Sequence, residues 1–303
     1  MEQVTQFHGI IPPVSTIMDE KGQLDKSGMT TLIDYLIDSG VNGLFFLGTG
    51  GEFSQMSKEL RKEVAAFAIE HVQNRVPVLI GTGSPSTTEA IELSQHAQKA
   101  GADGVVIINP YYWSLSEANL FQHYQEIAEQ IELPIILYNF PALTGQDLTP
   151  DMVLRLATQF PHIIGIKDTV DSIAHTREII MKVKPIKPSF KVFCGYDDQL
   201  LNTLALGGDG AIPATANFVP ELTTGIYKAF AKQNYQEVMS LHQQLAPLME
   251  LYKLDSPFVG IVKEALRQRN IAVSPYVLPP AAPPNKDLKQ QISIILQSSI
   301  PSI

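Results

Sequence analysis

In the stretch Ile163-Ile164-Gly165-Ile166-Lys167-Asp168, a mostly apolar run leads without polar alternation into a lysine and an aspartate. A strand wetted on one face alternates apolar and polar residues. A continuous run instead suits a strand covered on both faces, as in a parallel sheet flanked by helices. Seven further runs have the same character, at residues 9–14, 43–47, 76–80, 104–108, 134–138, 191–193 and 210–212. Between most of them, apolar residues recur at helical spacing, as in Leu32, Ile33, Leu36 and Ile37, or Ile91, Leu93 and Ala97. Ser86 with Glu89 reads as a capping box, and Thr149-Pro150 as a cap followed by proline at the first helical position. Eight alternations of strand and helix predict a closed α/β barrel of the (β/α)₈ type rather than an open doubly wound sheet. After about Pro220 the strand signals stop, while helical pattern continues through residues 227–230, 238–248, 258–266 and 288–296. The expected division is a barrel over residues 1–231 and a small helical extension over 232–303.

Composition agrees with a globular chain. Of 303 residues, 45% are hydrophobic and 17% charged, which excludes collagen-like and disordered classes. Lys and Arg total 22 against 31 Asp and Glu, a net charge of −9 that disfavours a general grip on nucleic acid or anionic lipid. Cys194 is the single cysteine, so no disulfide framework forms within the chain. Met1 to Ser15 lacks the form of a secretory signal, and no apolar run approaches the roughly 20 residues of a membrane span. The expected location is the cytoplasm.

In a (β/α)₈ barrel the chemistry sits at the C-terminal ends of the strands. The second run ends in Gly48-Thr49-Gly50-Gly51-Glu52, which reads either as a set of exposed amides for an anion or as a tight turn. The fifth ends in Tyr138-Asn139-Phe140-Pro141, whose phenol either enters the mouth or packs on the barrel. Lys167 would stand at the inner mouth, where burial disfavours an ammonium and a neutral amine attacks a ketone. The alternative is an ion pair with Asp168 or another carboxylate. The seventh run leads into Gly195-Tyr196-Asp197-Asp198, two carboxylates that either accept from substrate hydroxyls or cap the next helix. Cys194 reads as a small core residue. Gly81-Thr82-Gly83-Ser84-Pro85-Ser86 imitates a dinucleotide fingerprint, but Asp103 precedes a strand instead of ending one, so the ribose contact fails. The seven histidines show no close pair at metal-ligand spacing, and neither a phosphate loop nor a nucleophile elbow is present.

Taken with Gly9-Ile10-Ile11-Pro12-Pro13, Asn109-Pro110-Tyr111-Tyr112 and Gly210-Ala211-Ile212, these motifs make nearly the whole chain resemble the pyruvate-dependent class I aldolases. That family includes N-acetylneuraminate lyase and dihydrodipicolinate synthase. The resemblance implies a metal-free enzyme without a separate cofactor, in which Lys167 forms an imine with the ketone of pyruvate or a longer 2-oxo acid. It implies that Tyr138 moves the proton, and that Thr49 links its hydroxyl to that of Tyr112, from a neighbouring subunit. Thr49, Gly50 and Gly51 would hold the pyruvyl carboxylate. A homotetramer is the implied assembly, and a small 2-oxo acid and an aldehyde are the implied partners.

Departures from the family narrow the expected substrate. Gly50 stands where many members carry a second hydroxyl residue. Leu143 replaces the arginine with which the synthase branch grips an aspartate-semialdehyde carboxylate, and losing a bidentate guanidinium argues against that substrate. Gly195, Asp197, Asp198 and Thr169 look more like the lyase branch, which binds a polyol there, with Ile212 beside them. Ala214, however, lies where the sialic acid enzyme has a serine. The pattern is most similar to 2-keto-3-deoxygluconate aldolases, which cleave their substrate to pyruvate and glyceraldehyde. The weighed rivals are N-acetylneuraminate lyase, dihydrodipicolinate synthase-like or sugar-acid dehydratase activity, and a 2-oxo-acid-binding regulatory relative without turnover. A nicotinamide oxidoreductase built on residues 81–86 ranks below these.

Overall fold

The computed structural model describes residues 7–300. Eight strands, β1 (Gly9–Ile10), β2 (Leu44–Phe46), β3 (Val78–Gly81), β4 (Gly104–Ile108), β5 (Ile135–Asn139), β6 (Ile163–Asp168), β7 (Lys191–Cys194) and β8 (Gly210–Ala211), form one parallel sheet. From β2 to β8 each strand pairs with its successor, and β8 returns to β1 through Gly9–Gly210 and Ile10–Ala211. The sheet curls into a (β/α)₈ barrel, and nearly every strand residue is buried, as continuous apolar runs require.

The first strand departs from its expected length. Residues 9–14 form one apolar run, yet only two of them join the ladder, because Pro12 and Pro13 have no N–H to donate. The seam between β1 and β2 is closed by groups that remain. Asn42 N donates to Ile10 O (2.8 Å), Phe45 N to Pro12 O (3.0 Å), and Val14 N to Phe45 O (2.8 Å).

Helices Lys26–Asp38, Lys58–Val72, Thr87–Ala100, Glu117–Ala128, Pro150–Gln159, Ile173–Val183, Leu200–Ala205 and Pro220–Ala231 alternate with the strands. Thr149 accepts from Met152 N at 3.3 Å, with Pro150 in the first turn. The capping box at Ser86 forms only by half. Its hydroxyl accepts from Glu89 N at 3.4 Å, but the Glu89 carboxylate is taken by the Ser84 hydroxyl, which itself accepts from Ser86 N. Asp103 accepts from Val78 N (2.8 Å) and so ties the starts of β3 and β4, a structural role in place of a ribose contact. Beyond residue 231 come helices Tyr235–Leu245, Val259–Gln268 and Lys286–Ser299, with a 3₁₀ segment at Ala246–Lys253. Among the described residues no helix is long and apolar enough to cross a membrane. No group of three or more metal-ligating side chains is found among them.

Candidate active site

Strand alternation sends Lys167 and Asp168 to opposite sides of β6. Lys167 enters the mouth of the barrel, 4% exposed, with Nζ 4.2 Å from the centroid of the Tyr138 ring and 5.4 Å from that of Phe45. Asp168 turns outward and is fully buried, accepting from Thr176 Oγ1 (2.7 Å) and Asn139 Nδ2 (3.0 Å) and facing His175 Nδ1 (3.0 Å). The adjacent carboxylate is therefore spent on the helix layer, and the ion pair considered from sequence is not made. Asn139 also donates to Asp147 (2.7 Å), whose second oxygen lies 3.2 Å from His175 Nε2. Burial opposes a charge on His175, but hydrogen bonds and attraction from Asp147 and Asp168 outweigh it and push its pKa up to about 10. This network locks β5 to β6 one residue beyond the Tyr138–Lys167 pair, which are register partners.

The Tyr138 hydroxyl lies 3.1 Å from Thr49 Oγ1, so one half of the expected hydroxyl chain is in place. Tyr112 is on the surface, 90% exposed with a positive φ of 88° that costs a non-glycine residue about 1–2 kcal/mol. It does not reach Thr49 within one chain. The two glycines after Thr49 differ. A Cβ on Gly51 would sit 3.1 Å from Val14 O and 3.4 Å from Thr16 Oγ1, whereas one on Gly50 would meet only Pro13 O at an ordinary 3.5 Å. A side chain at residue 51 would thus press on the Val14 carbonyl, which would have to give by a few tenths of an ångström, while Gly50 leaves room that a side chain would fill.

Thr49, Gly50, Tyr138, Lys167, Thr169, Gly195, Asp197 and Ile212 line one cavity of about 260 Å³. Gly51 lies behind that lining, and Asp198 lies beside it, half-buried. Thr169 is 4% exposed and its hydroxyl has no partner; a Cβ on Gly195 would fall 1.8 Å from that oxygen, so glycine there leaves the hydroxyl its place. Asp197 accepts from Thr215 N (2.7 Å), the Thr215 hydroxyl and Tyr252 OH (3.3 Å), rather than capping the helix that follows. Its burial outweighs these hydrogen bonds and raises its pKa to about 6. Cys194 is buried, with its thiol pushed up to about 12 by desolvation, consistent with an inert core residue.

Sequence reasoning missed the far wall. Tyr252, Ser256, Pro257, Phe258 and Val259 come from beyond the eighth barrel helix, and Phe140 and Tyr196 stand edge to face opposite them. Ser256-Pro257 just ahead of a helical pattern is a loop signal, but nothing local says that the loop returns to the mouth.

A closed parallel barrel, with a buried lysine, a phenol and a glycine-rich turn converging at its C-terminal mouth, defines an enzyme of the aldolase type. The model of the dihydrodipicolinate synthetase family matches residues 6–299, and the chain belongs to that family. It is 56% identical over 297 residues to YagE of Escherichia coli K12, covering 98% of each chain; that protein carries a provisional 2-dehydro-3-deoxy-D-gluconate aldolase assignment. YjhH of the same organism is 53% identical over 291 residues, covering 96% of this chain and 97% of its own, with a provisional 2-dehydro-3-deoxy-D-pentonate aldolase assignment. The crystal structure of YagE in complex with pyruvate superposes with a TM-score of 0.96, covering 97% of this chain and 98% of the other. The protein is thus a lyase of the aldolase class.

Proposed function

We propose that the protein reversibly cleaves 2-keto-3-deoxy-D-gluconate, or a close 2-keto-3-deoxy sugar acid, to pyruvate and an aldehyde through an imine on Lys167. The observation that carries this reading is the buried Lys167 amine above Tyr138, whose hydroxyl is within hydrogen-bond distance of Thr49. Nζ attacks the C2 ketone, and uptake of one proton from solvent lets the hydroxyl leave as water, giving a protonated imine. The C4 hydroxyl passes its proton to the Tyr138 oxygen as Tyr138 passes its own to Thr49 and on to solvent; the C3–C4 bond breaks, and that electron pair enters the imine to form an enamine. The aldehyde departs, C3 regains a proton, and hydrolysis releases pyruvate and the free amine. No metal or separate cofactor is required in this sequence.

The pyruvyl carboxylate is assigned to Thr49 and the amides of Gly50 and Gly51. Thr169, Gly195, Asp197, Asp198 and Ile212 are assigned to the hydroxylated chain, with Asp198 just outside the cavity lining. The orphaned Thr169 hydroxyl and the Asp197 carboxylate suit alcohol groups. Leu143, more than half exposed at the rim, offers no cation for a second carboxylate. Tyr112 is assigned to the site of a neighbouring copy, which makes a homo-oligomer, a tetramer by family resemblance, the working assembly. Residues 1–231 then form the barrel and 232–303 an extension that completes its mouth. A cytoplasmic location fits the single, buried cysteine.

The likeness to YjhH favours a second substrate, the five-carbon 2-keto-3-deoxy-D-pentonate, whose cleavage would release glycolaldehyde instead of glyceraldehyde. Comparative kinetics on the hexonate, the pentonate and N-acetylneuraminate test the reading. A kcat/KM highest on the hexonate or pentonate is expected, and preference for N-acetylneuraminate would overturn it.

A further inference from the structure

Glu52 follows the glycine-rich turn directly, and neither the cavity nor the proposed chemistry uses it. Its backbone is left-handed, with φ 62° and ψ 26°, and its side chain is fully buried. It pairs there with Lys263, also fully buried, from the helix Val259–Gln268. The second oxygen of Glu52 accepts from Leu278 N (2.7 Å), and Lys263 Nζ donates to Tyr276 O (2.7 Å). The helix is buried from Val259 through Leu266, so a lysine in its middle is out of keeping with its surroundings.

An ion pair taken out of water seldom stabilises a fold more than apolar residues of the same volume. What it supplies is direction. The turn and two neighbouring segments from near the other end of the chain, the helix and residues 276–278, meet on these two side chains. Immediately before Glu52, Gly51 N donates to Gly48 O (2.9 Å), Glu52 N donates to Thr49 O (3.3 Å), and Thr16 Oγ1 donates to Gly51 O (2.7 Å). The turn is thus held at the carbonyls of Gly48, Thr49 and Gly51, while Glu52 anchors it from behind. The same helix begins at Val259 in the cavity wall, so one rigid element touches the far wall and braces the turn.

We propose that the Glu52–Lys263 pair positions the Thr49-Gly50-Gly51 turn for the pyruvyl carboxylate, so that the C-terminal helices set the affinity for pyruvate. Both are positioning residues, acting through backbone amides. The inference rests on the assignment of that turn as the carboxylate site of an imine-forming enzyme.

The test is the double variant Glu52→Gln/Lys263→Met, which removes both charges and strands neither. In aldol addition of pyruvate to glyceraldehyde, KM for pyruvate is expected to rise about tenfold, with kcat at saturating pyruvate changed much less. Glu52→Asp keeps both charges but withdraws the carboxylate by one methylene, and is expected to raise KM about threefold, which answers the question should the double variant not fold. Borohydride trapping of wild type with pyruvate is the control. Trapping of wild type combined with an unchanged KM in a folded variant overturns the positioning role alone. Absence of trapping in wild type overturns the imine reading, and this inference with it.

Discussion

The two ends of the cavity are built differently. At the end proposed for pyruvate, Lys167 and Tyr138 come from the ends of barrel strands and are held by the Asn139–Asp168–His175 network and the β5–β6 register, while Thr49 comes from the turn after β2. At the end proposed for the aldehyde, Asp197 is joined by Tyr252, Ser256 and Phe258 from segments packed onto the mouth after the barrel is complete. Sheet geometry fixes Lys167 and Tyr138 to within a strand register, whereas packing of later segments shapes the second end. On the proposed function, the difference would place the imine and proton chemistry on the scaffold and the choice of aldehyde on its additions.

Substitutions separate the two ends, and the largest effect belongs to the first. Lys167→Met is expected to lower cleavage at least about 10⁴-fold and to abolish pyruvate-dependent inactivation by borohydride, both read by steady-state assay. Tyr138→Phe is expected to lower kcat by about 10²–10⁴-fold while pyruvate still forms the imine, since only the proton transfer is lost. At the other end, Asp197→Asn is expected to raise KM for the sugar acid about tenfold and leave KM for pyruvate unchanged. In wild type, KM for the sugar acid should rise as pH falls through about 6, where Asp197 gains a proton and loses acceptor capacity. In the Asn variant this rise should vanish. A matching change in pyruvate KM would break the separation of the ends.

His175 bears on stability. Its pKa is raised in the folded state, so its contribution is fully present below the unfolded value near 6.5 and is lost as pH climbs through about 10. Tm should therefore fall across that window, and the His175-dependent part of the slope should disappear in His175→Gln. The smallest effect is expected at Gly50→Ser, which the ordinary contact with Pro13 O accommodates. Its Tm should stay within about 2 °C, with pyruvate affinity shifted only a few-fold.

The position of Lys167 at the barrel mouth was legible from strand periodicity, while its proposed role came from the family resemblance. Lys167 ends a run that is apolar on both faces, and the residue after it must point the other way. The glycine-rich turn was visible as a motif, but periodicity did not distinguish Gly51, closely packed against Val14 O, from Gly50, which has ordinary room. The short first strand escaped because apolar content predicts burial, while Pro12 and Pro13 limit the ladder. Tyr252 and Ser256 were not legible, since their approach to the mouth is a long-range contact without local pattern. Lys263 did carry a signal, a lysine inside an apolar helical stretch, whose meaning required its partner Glu52, 211 positions earlier.

The most direct test of the central claim is reduction of the wild-type protein by borohydride in the presence of pyruvate, followed by digestion and mass mapping. The account predicts a single reduced adduct on the peptide carrying Lys167, dependent on pyruvate and absent from Lys167→Met. An adduct on another lysine, or no adduct in a sample that cleaves the sugar acid, would contradict it.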